Sequence, residues 1–145
     1  MVCRSSRRAS QRQELEILLV EDNTLIGDAI VGQLSASGGH VDWRQSVGEA
    51  IAAVNEQSYD CVVLDLRLPD GHGLSVLSHI RERSGITPVL VLSAFDQMTD
   101  RFAAMARGAN AYLVKPFSLG DLEYRIASLV GDTRRSPLRG ANQRD

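Results

Sequence analysis

Lysine is almost missing from this sequence: of its sixteen basic residues fifteen are arginine, and Lys115 is the one lysine. Cysteine is scarce as well, with Cys3 in a polar arm and Cys61 in an apolar run. That pattern excludes a disulfide framework and makes a reducing cytoplasm the natural compartment. Apolar runs are only a handful of residues long, against the ~18 to 20 that a membrane-spanning helix needs, so no span is expected. Residues 1–13 lack the apolar core of a secretory signal. Their Arg- and Ser-rich, acid-free composition matches a mitochondrial transit peptide, but without the apolar face of an amphipathic helix, and residues 1–14 read as a disordered basic leader. The three histidines, His40, His72 and His79, have neither metal-ligand spacing nor cysteine company, and taken singly they read as surface or helix-edge residues.

What is present suits an ordinary globular domain. A chain of 145 residues with 43% hydrophobic and 23% charged residues accommodates one domain and a pair of tails. The net charge of -2 hides an uneven distribution: residues 1–13 carry +4, residues 14–131 carry -8 and residues 132–145 carry +2. An acidic body between basic ends lacks the basic patch of a nucleic-acid-binding domain and suits a domain that binds cations.

From residue 16 the apolar pattern alternates between short continuous runs and helical periodicity. The runs 17–20, 61–64, 89–92 and 111–114 read as strands covered on both faces, and residues 40–43 as a more polar edge strand. Between them, spacings of three and four predict amphipathic helices on Leu25, Ala29, Ile30 and Leu34; on Val47, Ala50, Ile51 and Val54; on Leu74, Leu77 and Ile80; on Phe102 and Met105; and on Leu122, Ile126 and Leu129. Gly38-Gly39, Gly108 and Ser118 supply boundary signals. Five strand-helix repeats predict an α/β fold, a doubly wound (βα)5 domain over residues 15–131 with a five-stranded parallel sheet, followed by a linker or C-terminal tail at 132–145.

In an open α/β sheet the chemistry sits at the carboxyl ends of the strands. Five residues fall there: Glu21 and Asp22 after the first strand, Asp65 ending the third, Ser93 ending the fourth and Lys115 ending the fifth. Taken alone, Glu21 and Asp22 read first as solvated helix-start charges, with Asp22 or Asn23 as a cap. Together, three converging carboxylates repel one another unless a cation sits between them, and hard oxygen ligands suit Mg²⁺. Asp65 ends an apolar run, where a carboxylate without function would be costly. An ammonium at Lys115 and a hydroxyl at Ser93 complete a pocket for a small anion built on Asp65: the carboxylate attacks phosphorus, cations neutralise the oxygens, and no general base is needed.

These residues lie in four stretches, ILLVEDN (17–23), VVLDLRLPDGHG (62–73), PVLVLSA (88–94) and GANAYLVKPF (108–117). Four such motifs in order at successive strand ends resemble the receiver domain of two-component response regulators, most closely the branch with winged-helix DNA-binding output domains. The resemblance implies the flavodoxin-like strand order 2-1-3-4-5. It makes Asp65 the phosphoacceptor, Ser93 the switch hydroxyl, Tyr112 the switch aromatic and Lys115 the lysine before a cis Pro116. Glu21, Asp22, Asp65 and the backbone carbonyl of Arg67 become the Mg²⁺ ligands. It implies a histidine kinase as phosphodonor and transcription control as output. DNA contact would come only through an output domain outside these 145 residues, leaving open a piece ending at a linker or a single-domain regulator.

The competing class is a metal-dependent phosphatase of similar topology with an aspartyl-phosphate intermediate, which would carry a second carboxylate two residues after the nucleophile, where this chain has Arg67. A flavin-binding protein would need a hydroxyl-rich phosphate loop after the first strand, and EDNTLIG does not supply one. The resemblance further implies pairing of two copies through the fourth helix, fifth strand and fifth helix by three kinds of ion pair. Arg101 and Asp121 can form one kind. Asn110 and Ala111 replace an acidic pair, which takes away the expected partner of Arg125, and Asp132 stands where a base is expected. A weak homodimer is the expectation.

Overall fold

The four apolar runs form adjacent parallel strands in the computed structural model, which describes residues 14–144 of the chain and side chains as far as residue 133. Strands β1 (Glu16–Val20), β3 (Cys61–Asp65), β6 (Val89–Ala94) and β7 (Ala111–Lys115) lie side by side, and the more polar β2 (His40–Arg44) takes the edge beside β1. The sheet order is β2-β1-β3-β6-β7 with every pairing parallel. Between β3 and β6 the chain also makes a two-stranded antiparallel ribbon, β4 (Arg67–Leu68) and β5 (Gly71–His72). Setting that ribbon aside, the order is the expected 2-1-3-4-5. The sequence reading had missed the ribbon, although Pro69-Asp70 at its tip is turn chemistry. Asp70 accepts hydrogen bonds from the Val47 and Gly48 amides at 2.7 and 3.0 Å and so caps the next helix in space.

Because side chains alternate along a strand, each of the three inner strands β1, β3 and β6 feeds two cores. Leu18, Val20, Val62, Leu64, Val89 and Val91 pack under α2 (Val47–Glu56), α3 (Gly73–Arg83) and α4 (Met98–Ala106). Ile17, Leu19, Val63, Leu90, Leu92 and Leu113 pack under α1 (Thr24–Ala36) and α5 (Leu119–Arg144). Cys61 lies in the second core, where burial pushes its thiol up to about 12, so it is an inert apolar side chain. Asn23, not Asp22, caps α1, its Oδ1 accepting from the Ile26 amide at 2.9 Å, and Ser118 caps α5 through the Asp121 amide at 2.9 Å.

Two helices depart from the face their apolar spacing suggests, α1 in part and α4 throughout. In α1 Ile30 and Leu34 are buried as expected, but Gly27 joins them, whereas Leu25 is 81% exposed and Ala29 is exposed too. Gly27 sets this orientation: a Cβ there would collide with the indole of Trp43 on β2, so the helix contacts the sheet edge through its glycine. Leu25 lies about 200° around the helix from that contact. In α4 the buried residues are Arg101 and Ala104, and Phe102 faces solvent at 68% exposure. A short helix held by an alanine and an arginine inverts the usual assignment of apolar residues to the core.

Helix α5 continues to Arg144, through the segment read as a linker or tail. The basic leader lies outside the described residues except for Glu14, as do the side chains of the Arg-rich segment 134–140.

The Gly27 contact is testable. Gly27→Ala is expected to destabilise the chain by about 1 to 3 kcal/mol in urea unfolding, the usual range for overpacking. It should also change the emission of Trp43, whose Nε1 donates to the Glu21 carbonyl at 2.8 Å; wild-type stability and emission together would refute the close approach.

Candidate functional site

Each strand of the central sheet except β2 delivers a polar residue to the same rim. Glu21 and Asp22 follow β1, Asp65 closes β3, Ser93 sits at the end of β6 and Lys115 closes β7. Carboxylate oxygens of Glu21, Asp22 and Asp65 all lie within 4.8 Å of one another. Glu21 is fully buried, Asp65 nearly so, and Asp22 reaches solvent. They open into a cleft of about 630 Å³ that Arg67, Ala94, Gln97 and Lys115 also line.

Several local contacts fix this geometry. The Glu21 amide donates to the Arg44 carbonyl at 3.0 Å, and Trp43 Nε1 binds the Glu21 carbonyl, so β2 pins the acidic turn. The Asn23 amide donates to Glu21 Oε2 at 3.2 Å, and the Arg67 amide donates to Asp65 Oδ1 at 3.2 Å. Behind Asp65, α3 begins so close that a Cβ on Gly73 would stand 2.5 Å from the Asp65 carbonyl oxygen and 2.9 Å from Leu66 Cα. Only glycine permits that approach, and it clamps the backbone of the Asp65 turn from below.

Lys115 Nζ bridges the cluster, 3.0 Å from Glu21 Oε1 and 3.1 Å from Asp65 Oδ2. Burial works against its ammonium, but the close contact with Glu21 and the charges of Asp65 and Glu21 hold its pKa above the ordinary lysine value. Burial pushes the Glu21 carboxyl up to about 7, the hydrogen bond and charge of Asp65 push in the same direction, and Lys115 pulls partly back. One ammonium thus leaves three carboxyl groups under-neutralised, and the buried Glu21 Oε1 has no aligned hydrogen-bond donor despite the nearby Nζ. An all-oxygen set with this surplus of negative charge fits a hard divalent cation such as Mg²⁺.

The structure places Glu21, Asp22, Asp65, Arg67 and Lys115 around one cleft, with the Lys115-Pro116 peptide cis. Ser93 is close by in the sheet but fully buried, and its Oγ accepts a 3.2 Å hydrogen bond from Arg101 Nη1. Tyr112 on β7 is 43% exposed, with the Arg101 guanidinium over its ring at 5.4 Å. Arg101 is therefore not the surface residue expected to pair with Asp121 of a second copy: it is 9% exposed and turned inward. Arg125 Nη1 donates to the Tyr112 carbonyl at 3.4 Å, while Asn110 accepts from the Val89 amide at 2.8 Å and from Arg81 at 2.9 Å, which makes Asn110 a structural residue in its own right.

Sequence reasoning missed three further groups. Trp43 had been read only as part of an edge strand. Asp100, in the first turn of α4, pairs with the Arg67 guanidinium at 2.9 Å and lies 3.3 Å from His72 Nε2. His72 also caps α3, its Nδ1 accepting from the Leu74 amide at 3.1 Å, in keeping with its reading as a helix-edge residue. The available signal for Arg101 was its position three residues before Ala104, in the buried register of a helix whose phenylalanine is out of register.

Comparison with known proteins agrees with this geometry. The family model for the response regulator receiver domain matches residues 17–127. The response regulator protein PmrA of Pseudomonas aeruginosa is 40% identical over 132 residues, covering 89% of this chain and 57% of PmrA. The transcriptional regulatory protein QseB of Haemophilus influenzae is 40% identical over 116 residues, covering 80% of this chain and 52% of QseB. The chain spans about half the length of these curated relatives. The crystal structure of the receiver domain of sensor histidine kinase PA1611 from Pseudomonas aeruginosa PAO1, with a magnesium ion coordinated in its active site cleft, has a TM-score of 0.75 at 32% identity, over 81% of this chain and 98% of that one. With its sheet order, its acidic rim and a family match across most of its length, the chain belongs to the response regulator receiver domain family.

Proposed function

We propose that this chain is a phosphorylation-dependent signalling switch in which Asp65 accepts a phosphoryl group from a histidine kinase. The observation that carries the proposal is Lys115 bridging Asp65 and Glu21 at the mouth of the acidic cleft. A carboxylate oxygen of Asp65 forms the new O–P bond as the donor's P–N bond breaks, and a carboxylate nucleophile needs no base. Lys115 exchanges part of its contact with Asp65 for the incoming phosphoryl oxygens. Glu21, Asp22, Asp65 and the Arg67 carbonyl are the residues that would hold Mg²⁺, which when bound supplies further neutralisation of the phosphoryl charge. The same groups assist hydrolysis of the acyl phosphate. Arg67, where a phosphatase of this topology would carry its acid-base carboxylate, is tied instead to Asp100.

Output follows from Ser93 and Tyr112. With phosphate on Asp65, the Ser93 hydroxyl turns toward it and Tyr112 turns into the space released, a two-state change biased by one new hydrogen bond. The receiver occupies residues 15–131, with 1–14 a leader and 132–145 a linker or tail in helical continuity with α5. Transcription control would run through a winged-helix output domain beyond these residues, a reading supported by relatives about twice as long, among them one named as a transcriptional regulatory protein. Any homodimer through α4, β7 and α5 is weak in the unphosphorylated state, since Arg101 is withdrawn from the surface. Exposed ion pairs contribute only about 0.2 to 1 kcal/mol each, and losing several of them in a symmetric pair weakens association.

Three outcomes are expected. Mass spectrometry after treatment with a small phosphodonor and Mg²⁺ should find one labile phosphoryl group, absent from Asp65→Asn and after chelation; labelling that survives in the mutant would overturn the assignment. In a Mg²⁺ titration followed through Trp43, Lys115→Ala should bind the metal as tightly as wild type or more so, because a competing charge is gone; clearly weaker binding would contradict the role given to Lys115. Sedimentation velocity at micromolar concentration should show a monomer before phosphorylation, and a tight dimer would refute the weak-pair reading.

A further inference from the structure

Arg101 is the one charged side chain among the described buried residues that the phosphoryl-transfer reading does not use. It leaves the first turn of α4 and runs back beneath the end of β6. Its Nη1 donates to Ser93 Oγ at 3.2 Å, to the Ala94 carbonyl at 2.8 Å and to the Phe95 carbonyl at 3.5 Å, while the guanidinium plane covers Tyr112. Among the described residues no carboxylate lies within ion-pair distance of it. A guanidinium nine-tenths buried whose hydrogen bonds all go from Nη1 to neutral oxygens is held without a counter-charge, and so less firmly than an ion-paired one.

The head group sits where both switch residues must move. It touches Ser93 on one side and the face of Tyr112 on the other, so the ring cannot turn toward Ser93 until the guanidinium leaves. It also fixes the Ser93 hydroxyl toward α4 and ties down the two carbonyls that follow it. The neighbouring Asp100 holds the same turn of α4 to Arg67, two residues after Asp65. Two consecutive residues of α4 therefore fasten it to the two loops that border the cleft.

We infer that Arg101 is a latch: it holds the unswitched conformer by occupying Ser93 and the inward path of Tyr112, and it is released when the Ser93 hydroxyl is drawn to a group on Asp65. This rests on the reading of Asp65 as phosphoacceptor and adds to it the element that opposes switching. Arg101 is a positioning residue and touches no reacting atom. Its removal should raise the population of the switched conformer before any phosphate arrives, and a ligand selective for that conformer then binds more tightly.

The test uses the full chain with Mg²⁺ and beryllium fluoride, a phosphoryl mimic, titrated through Trp43 emission. Arg101→Met, which keeps the stem and loses the fork, should bind the mimic on the order of 3- to 30-fold more tightly than wild type as the competent fraction rises. In mimic-free NMR spectra its Ser93 and Ala94 amides and its Tyr112 ring should lie displaced toward the positions of mimic-bound wild type. Arg101→Lys retains a charge but can neither serve three acceptors at once nor stack as a plane, and should shift both readouts in the same direction by less; it carries the test if Arg101→Met does not fold. If wild type binds the mimic and neither variant binds it more tightly or moves the resonances, the latch is refuted while the site stands. If wild type binds no mimic, or Asp65→Asn binds it equally well, the phosphoacceptor reading falls and the latch falls with it.

Discussion

Everything at the functional rim depends on one ammonium placed between two buried carboxyl groups. Without Lys115, the Glu21 and Asp65 side chains would face each other across a few ångströms of low-dielectric interior, and like charges so placed cannot both stay ionised. With it, the cluster is held together, yet burial and the neighbouring Asp65 still keep the Glu21 carboxyl above its ordinary pKa, and one ammonium faces three carboxyl groups. That shortage is what a cation and a phosphoryl group can exploit. A cluster fully neutralised by protein groups would be stable and inert. The choice of lysine at the one position where the chain does not use arginine has the same physical sense: a compact ammonium can transfer its contact from carboxylate to phosphoryl oxygen, whereas a guanidinium fork would lock a carboxylate in place.

The two halves of the molecule treat this cluster differently. On the side of β1, β2 and β3 the supports are rigid and steric: Gly27 admits Trp43, Trp43 and Arg44 pin the backbone of Glu21, and Gly73 lets α3 press on the Asp65 turn. None of these contacts has an evident second arrangement. On the side of β6, α4 and β7 the supports are polar and few. Helix α4 buries Arg101 and Ala104, leaves Phe102 and Met98 in solvent, and is fastened through Asp100 and Arg101. Little apolar burial is the feature expected of the parts of a fold that open most easily, and α4 has it.

How much of this could be read in advance depended on what each residue does for the fold. The strands, their parallel pairing and the convergence of Glu21, Asp22, Asp65 and Lys115 follow from apolar runs and from the rule that α/β sites lie at carboxyl strand ends, and all were legible. Helix faces were less so. Periodicity marks which apolar residues share a face, but Gly27 and Ala104 determined which face turns inward, and small residues carry almost no weight in such a pattern. The ribbon of β4 and β5 was hidden because two-residue strands have no period at all. Arg101 was the largest error: a charged residue is assigned to the surface by default, and only its three-dimensional neighbours show that it serves the interior.

That error bears on how the switch and the acidic cleft can be coupled at a distance. Asp65 and Tyr112 do not touch, and the Ser93 hydroxyl alone is a small lever, one hydrogen bond in a buried strand end. A guanidinium that bonds Ser93, the next two carbonyls and an aromatic face enlarges the lever, because removing any one of its acceptors weakens a group already short of compensation. On the proposed switch, rigid supports on one flank and a polar fastening on the other would direct a local event at Asp65 into α4 rather than into deforming the site.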